Sequence, residues 1–473
     1  MEFVLKNVGV IENSTIKIDG ITVITGPNNS GKSTIGKALH AIIDATENIE
    51  ELSLEAKLEY VLNSIRAELD SLQVYILSTF SVDKDTLVQT MLFKVLYKGV
   101  LEIGNLFELE KLIDSVVNDL KQIIEMYSKN ESQRIREMFS EEERDVVISK
   151  INKAIEKVKK LTDIVHSDPT HEKFLLNRTL KGLKNAFRSQ IAPVRKSNLT
   201  SHFEFIEQEK TAVFLNIEEN KLQSKAINNM SDYFDASIYV DNLVYLDKML
   251  FIEDIKKQMR KHKKENNVTF EEFLMESDEG VSIADKIFSF KKRNEIEEIL
   301  TAEKAKLVLE KINQIISGEV FKEKGIIKYS SHKLDINNLS NGSKSILLIK
   351  LLIENDLLNE STMLILDEAE CALHPEWQNI FAEILVLLRK ELGVRILLTT
   401  HSDKFVLALE TFIRKYEMNK ESNFYMPQYV NRERYMLNFK CVNEKLNAVY
   451  EDLSLPNDRM RILRNSLLIL TDD

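Results

Sequence analysis

The chain has 473 residues, 44% of them apolar and 29% charged, and its 64 basic and 75 acidic side chains leave a net charge of −11. That length holds one large discontinuous domain or two to three ordinary ones. The acidic balance excludes a protein wrapped throughout by nucleic acid and leaves room only for a local basic patch. Two cysteines, Cys371 and Cys441, build no disulfide framework, and no CxxC or Cys/His spacing predicts zinc. The start, MEFVLKNVGV, lacks the basic region and apolar core of a secretory signal. The longest apolar run, around Ile346–Ile353, is interrupted by Lys350 and too short to span a bilayer, so a cytoplasmic protein without membrane contact is expected.

In chain order, Phe3-Val4-Leu5 and Thr15–Ile18 predict strands around a turn, and Ile21–Thr25 predicts a short buried strand. That strand runs into GPNNSGKST, and Ile35–Ile43 follows as a helix. From about 47 to 200 apolar residues recur at three-and-four spacing, as in LEKLIDSVVNDLKQIIEMY. Heptads are not sustained, which predicts antiparallel helices packed as a lobe rather than a coiled-coil arm. Strands return at 203–217 and 237–246, and a second helical piece at 251–317 carries the basic run Lys256–Lys264. From 325 to 410 strands and helices alternate, and the tail predicts strands with turns closing near Leu455. The expected segments are 1–46 as the first part of a nucleotide-binding head, 47–200 as a helical insertion and 201–250 as a β return. After them come 251–318 as a second helical segment and 319–473 as the rest of the head.

Four motifs carry chemistry. Gly26, Pro27, Asn28, Asn29, Ser30, Gly31, Lys32, Ser33 and Thr34 fit GxxxxGK[ST] between a strand and a helix. There the two glycines let backbone N–H groups curl around phosphates, Lys32 reaches the β/γ-phosphates, and Ser33 offers its hydroxyl to Mg²⁺. Met363–Leu366 predicts a buried strand ending in Asp367, a Mg²⁺ partner, and Glu368, a general base for an attacking water. His401 leaves the strand Arg395–Thr400 where a group sensing the γ-phosphate belongs. Ser340, Asn341 and Gly342, in LSNGS, precede an apolar helix expected over Ile346–Leu358, whose N-terminus suits an anion or a plain side-chain cap. The P-loop and the acidic motif lie near opposite ends of the chain, so the head must fold from both ends around an insertion.

GPNNSGKST, LSNGS, LILDEAECALHP and TTHS, in this order, resemble an ABC-type ATPase head of the SMC/RecF/OLD kind. The stretch Asp367–Gln378, DEAECALHPEWQ, is similar to the DEPExxLHPxxQ block of OLD-like ATPases. The resemblance covers about 1–45 and 325–410. It implies an α/β fold, an ABC-type P-loop head with a mixed β-sheet and flanking helices, assembled from both chain ends with a large helical insertion. It implies ATP and Mg²⁺ as ligands, and ATP sandwiched between two heads. Ser340 and Gly342 of one copy would face Lys32 and Ser33 of the other, with His374 in the loop crossing the seam, giving a homodimer or a higher even-numbered homo-oligomer. Asn341 and Ser343 depart from the family's Gly and Gln/Glu, and Ala369 from its Pro, which implies slower hydrolysis or a longer-lived ATP dimer. The glutamine that such heads place near the nucleotide is open between Gln208, ranked first, and Gln190. No Toprim pattern or paired histidines of a nuclease follow His401. The layout resembles the stand-alone ATPase subunits of two-gene antiphage systems of the Septu and PARIS type, which implies a separate effector, a nuclease. The alternative is a RecF/SMC-like DNA-binding ATPase using Lys256–Lys264, Lys291–Arg293 or Lys153–Lys160. A transporter subunit is set aside because the insertion is too large and the LHP block differs.

Overall fold

The computed structural model describes residues 1–47, 49–79, 105–128, 140–166, 171–193, 199–208, 210–227, 233–241, 295–323, 326–329, 334–368, 370–431, 436–454 and 460. They divide into two compact units, one of 1–47 with 178–473 and one of 48–177.

The first unit is organised by a mixed eleven-stranded sheet in the order β6-β5-β4-β1-β2-β14-β13-β3-β12-β11-β7. Its N-terminal strands are β1 (Glu2–Val8), β2 (Ile11–Lys17) and β3 (Ile21–Thr25). A second group is β4 (Ser201–Glu207), β5 (Lys210–Glu218), β6 (Lys221–Ile227) and β7 (Ala236–Asp241). A separate antiparallel sheet contains β8 (Val320–Glu323), β9 (Ile326–Tyr329) and β10 (Leu334–Asp335). Then come β11 (Thr362–Asp367), β12 (Arg395–Thr400), β13 (Ser422–Asn431) and β14 (Met436–Cys441).

Strands β13, β3, β12, β11 and β7 are mutually parallel. All five residues of β3 are buried, as are Thr362–Leu366 and Ile396–Thr400. Such continuous apolar runs are what a sheet covered on both faces requires. The other half, β1, β2, β4, β5 and β6, pairs antiparallel, and its alternation is plain in β2. The stretch 203–217 forms two strands of a hairpin, because Gln208 turns the chain at φ 46°.

Among the described residues the helices of this unit up to β14 are α1 (Lys32–Asp44), the later part of α5 (His171–Ala186), α6 (Glu295–Ile315), α7 (Asn341–Glu354), α8 (Pro375–Leu392) and α9 (Asp403–Lys415). Helices α6 to α9 and the parallel strands share one apolar core, with Leu352, Ala382, Leu385 and Leu398 inside it. Helix α7 starts and ends earlier than the expected Ile346–Leu358. Ser340 caps it, and the N–H of Asn355 closes its last turn on Leu351 and Ile353. After β14 the chain is helical over 446–454, where strands and turns were expected. Leu446, Val449, Tyr450 and Leu453 recur at helical spacing and pack on the main core.

The second unit holds α2 (Ile49–Thr79), α3 (Leu106–Ser128) and α4 (Glu141–His166), with α4 against both others. Leu69, Val117, Tyr127, Ile151 and Val158 are among its own buried core. This unit ends at Asn177 rather than at 200. From Arg178 the chain packs with the first unit: Arg178 donates to Glu47 O at 3.1 Å, and Gly182 lies against Ala41. The expected helix at 251–294, with Lys256–Lys264 and Lys291–Arg293, lies outside the described residues. Among the described residues no helix is long and apolar enough to cross a membrane.

Candidate nucleotide site

Three adjacent parallel strands, β3, β12 and β11, end at one edge of the sheet, the edge where open α/β sheets bind ligands. Past β3 the loop curls through Gly26 (φ 139°), Asn29 (φ 62°) and Gly31 (φ 84°). These are left-handed turns that glycine and asparagine adopt most easily. A side chain at Gly26 would also meet Pro427 of β13 at 2.6 Å, and one at Gly31 would meet Val10 at 2.7 Å. Pro27, Asn28 and Asn29 are exposed, Ser33 and Thr34 half-buried, and Lys32 buried. The Ser30 hydroxyl is buried without a partner among the described residues. An orphan donor inside a curled loop at a helix N-terminus fits a bound phosphate.

The Lys32 ammonium donates to Gly26 O and Pro27 O, both at 2.9 Å, and stands 3.6 Å from Glu368 Oε1. Burial lowers its pKa, and the nearby Glu368 and Asp367 carboxylates oppose that shift. Ser33 Oγ donates to Asp367 Oδ1 at 3.0 Å, across from the start of α1 to the end of β11. Two further hydroxyls hold the same carboxylate, Thr399 Oγ1 on Oδ1 at 2.5 Å and Tyr239 OH on Oδ2 at 3.1 Å. Tyr239 in turn stacks on buried His40 of α1, whose Nδ1 is 2.6 Å from Ser237 Oγ. Ser33 and Asp367 are the oxygen donors a Mg²⁺ ion takes together with phosphate oxygens.

Glu368 adopts φ 54°, uncommon for a residue with a side chain, and its N–H reaches Thr399 O and Oγ1, each at 3.2 Å. Its Oε1 is 3.4 Å from His401 Nδ1. Thus the P-loop, Asp367, Glu368 and His401 gather at one place. Glu370 is buried in the following turn, accepts from the Thr400 hydroxyl, and leaves Oε2 without a partner among the described residues. Burial pushes its carboxyl up, against the pull of the Thr400 bond. Since the Ser402 N–H donates to Thr400 Oγ1 at 3.0 Å, Glu370 also braces the His401 loop.

Ser340 and Asn341 are exposed at the N-terminus of α7, and Ser340 Oγ accepts from Ser343 N at 3.2 Å. Buried Gly342 has a packing reason to be glycine, since a Cβ would lie 2.8 Å from Ala372 O and 3.6 Å from Trp377. Gln378 pins that same turn by donating to Glu370 O and Leu373 O, both at 3.2 Å. His374 caps α8, ahead of Pro375.

Strand directions reverse the two glutamines. Gln208 follows β4, whose Ile206 pairs with Glu2, which pairs with Lys17. Lys17 O accepts from Thr22 at the entrance of β3, so Gln208 sits at the end of the sheet away from Gly26. Gln190 precedes Ile191, whose carbonyl accepts from Gly9 in the β1–β2 turn, and the adjacent Val10 touches Gly31. Sequence reading also missed Tyr239 and Thr399, which sit on strands and carry no motif.

A family model described as AAA ATPase domain matches residues 1–406. No curated protein matches the chain. Among solved structures, an SMC head bound to the C-winged helix domain of ScpA is 9% identical, covers 94% of this chain and 98% of its own, and has a TM-score of 0.39. The SMC head domain from Thermotoga maritima is 12% identical over 93% of this chain and 98% of its own, with a TM-score of 0.34. An SMC head domain with a coiled coil and joint from Pyrococcus yayanosii is 10% identical over 96% and 99%, with a TM-score of 0.34. At TM-scores this low the likeness is distant.

Proposed function

The chain belongs to the AAA ATPase domain family, and from that membership we propose that it hydrolyses Mg²⁺-ATP between two of its own heads and thereby regulates a separate effector. One observation carries the hydrolytic part: Lys32, Ser33, Asp367, Glu368 and His401 converge at the C-terminal edges of three adjacent strands. Lys32 exchanges its two loop carbonyls for phosphate oxygens. Glu368, freed from that ammonium, accepts the proton of the attacking water, and His401 holds the γ-phosphate side of the carboxylate. Ser33 and Asp367 would hold a Mg²⁺ ion, which would supply positive charge against the phosphates. Thr399 keeps Asp367 and the Glu368 backbone in place.

The sandwich draws support from α7, whose N-terminus presents Ser340 and Asn341 to solvent as an anion site. In a dimer of heads those groups close over the nucleotide of the other copy, and ATP acts as the ligand that stabilises the assembly. Glu368→Gln with ATP is expected to accumulate as a dimer or larger even-numbered species in light scattering. A preparation that binds ATP and stays monomeric sinks the sandwich.

The effector role rests on the resemblance of DEAECALHPEWQ to OLD-like antiphage ATPases. Co-expression with the product of an adjacent gene should give a complex whose stability or nuclease activity changes with ATP. An adjacent product that never co-purifies counts against the role. The DNA-clamp alternative has less behind it. In the basic run Lys153–Lys160, Lys157 is engaged by Glu68 at 2.6 Å.

A further inference from the structure

One side chain at the rim of the nucleotide site has no part in the scheme above. Cys371 is exposed in the turn after β11, and its Sγ stands 3.9 Å from Oε2 of Glu368. The other oxygen of that carboxylate, Oε1, is 3.4 Å from Nδ1 of His401. Donor atoms of all three residues lie within 4.8 Å of one another. A thiol sulfur, an imidazole nitrogen and a carboxylate oxygen on one patch form the donor set of zinc and similar thiophilic ions.

Geometry agrees with the chemistry. Zinc binds sulfur at about 2.3 Å and nitrogen or oxygen at about 2.0–2.2 Å, so a tetrahedral site spaces its ligands roughly 3.3–3.6 Å apart. The 3.4 and 3.9 Å separations run to the two different oxygens of Glu368, and with all three donors within 4.8 Å of one another the side chains draw together to reach that spacing. Three protein ligands leave a fourth position for water or a phosphate oxygen. Burial, with the Glu370, Glu368 and Asp367 carboxylates, pushes the Cys371 thiol up against the pull of Lys32, so a bound cation has to compete with the thiol proton. Coordination displaces the thiol proton, as it does at other thiolate sites. Mg²⁺ has little use for sulfur and takes the hard oxygens of Ser33 and Asp367, so two kinds of cation sort between adjoining sites.

We propose that Glu368, Cys371 and His401 bind a thiophilic divalent cation of the zinc type, and that this ion arrests hydrolysis while nucleotide stays bound. The arrest rests on the reading of Glu368 and His401 as hydrolytic groups, because the ion takes both of them out of use. The binding itself does not depend on that reading. Lys32 and Ser33 keep their hold on phosphate, so the arrested state is the ATP-bound one.

The test uses the full chain in a Cys441→Ser background, which leaves Cys371 as the one thiol. Titration with Co²⁺ should raise a thiolate-to-cobalt charge-transfer band that saturates near one equivalent and is absent in Cys371→Ser. With Mg²⁺ in excess, micromolar Zn²⁺ should lower kcat about tenfold or more while binding of a fluorescent ATP analogue is unchanged. Cys371→Ser should keep the basal rate and require about tenfold more Zn²⁺. The absence of a cobalt–thiolate band, or equal zinc sensitivity in Cys371→Ser, overturns the proposal. A band in a chain that does not hydrolyse ATP would leave the site standing and remove the ATPase reading instead.

Discussion

At Thr399 one hydroxyl serves two neighbours, donating to Asp367 Oδ1 and accepting from the Glu368 N–H. Thr399→Val keeps the shape and removes both bonds. Hydrolysis should fall about tenfold or more, with ATP binding retained, as measured by steady-state turnover beside nucleotide titration. Glu368 poses the opposite case, because its left-handed backbone costs on the order of 1–2 kcal/mol for a residue with a Cβ. Glu368→Gly should therefore be more stable than Glu368→Gln by about 1 kcal/mol in denaturant unfolding, though both lack the base. Equal midpoints would show that the strain is relieved elsewhere. The motif residues were legible because a P-loop and a strand ending in Asp-Glu are contiguous in sequence. Tyr239 and Thr399 were not, since each meets Asp367 only once β7, β12 and β11 lie side by side.

Among the elements, α6, α8 and α9 meet at one buried carboxylate. Glu383 of α8 receives Lys311 of α6 at 2.8 Å and, from α9, Lys415 at 2.7 Å and the Tyr416 hydroxyl just beyond its end at 2.6 Å. Burial pushes this carboxyl up, but the two ammonium groups and the hydroxyl together hold it at about 2. A carboxyl depressed from 4.5 on folding contributes stability that is complete above that value and is lost as pH falls toward 2. Glu383→Gln should cost on the order of 2–3 kcal/mol at pH 6 and clearly less at pH 3, where the carboxyl is protonated in the unfolded chain and still ionised in the folded one. Chemical denaturation at the two pH values checks this, and a gap that stays constant refutes it. The buried strands β3, β11 and β12 could be read nearly to the residue from unbroken apolar runs closed by a loop or an acidic pair. Strand direction could not be read, and it is direction that carries Gln208 to the wrong end of the sheet. The helix at 446–454 was hidden for a similar reason, because its short apolar spacing becomes decisive only against the core it covers.

For the molecule as a whole, the division at 47/48 and 177/178 predicts a separable insertion. The two cut points are close, as the Arg178 side chain reaches the Glu47 carbonyl. A chain with 48–177 replaced by a short glycine linker should melt cooperatively and still bind ATP, because among the described residues the main core and the groups around Asp367 come from outside that segment. Failure to bind ATP in a folded preparation would assign the insertion a part in the site. The sheet carries one more consequence, for the way the protein is made. Strand β3 emerges from the ribosome early, yet its parallel neighbours β12 and β13 come from near the other end. At about 5–20 residues per second, Thr25 waits roughly 20–75 s before Thr400 is synthesised. Through that interval the helical unit can fold on its own local contacts, while β1, β2 and β3 carry exposed apolar faces and no finished sheet. On the proposed function, a copy that stops before β12 and β13 would lack the strands beside the P-loop and would stay out of the proposed ATP-held assembly.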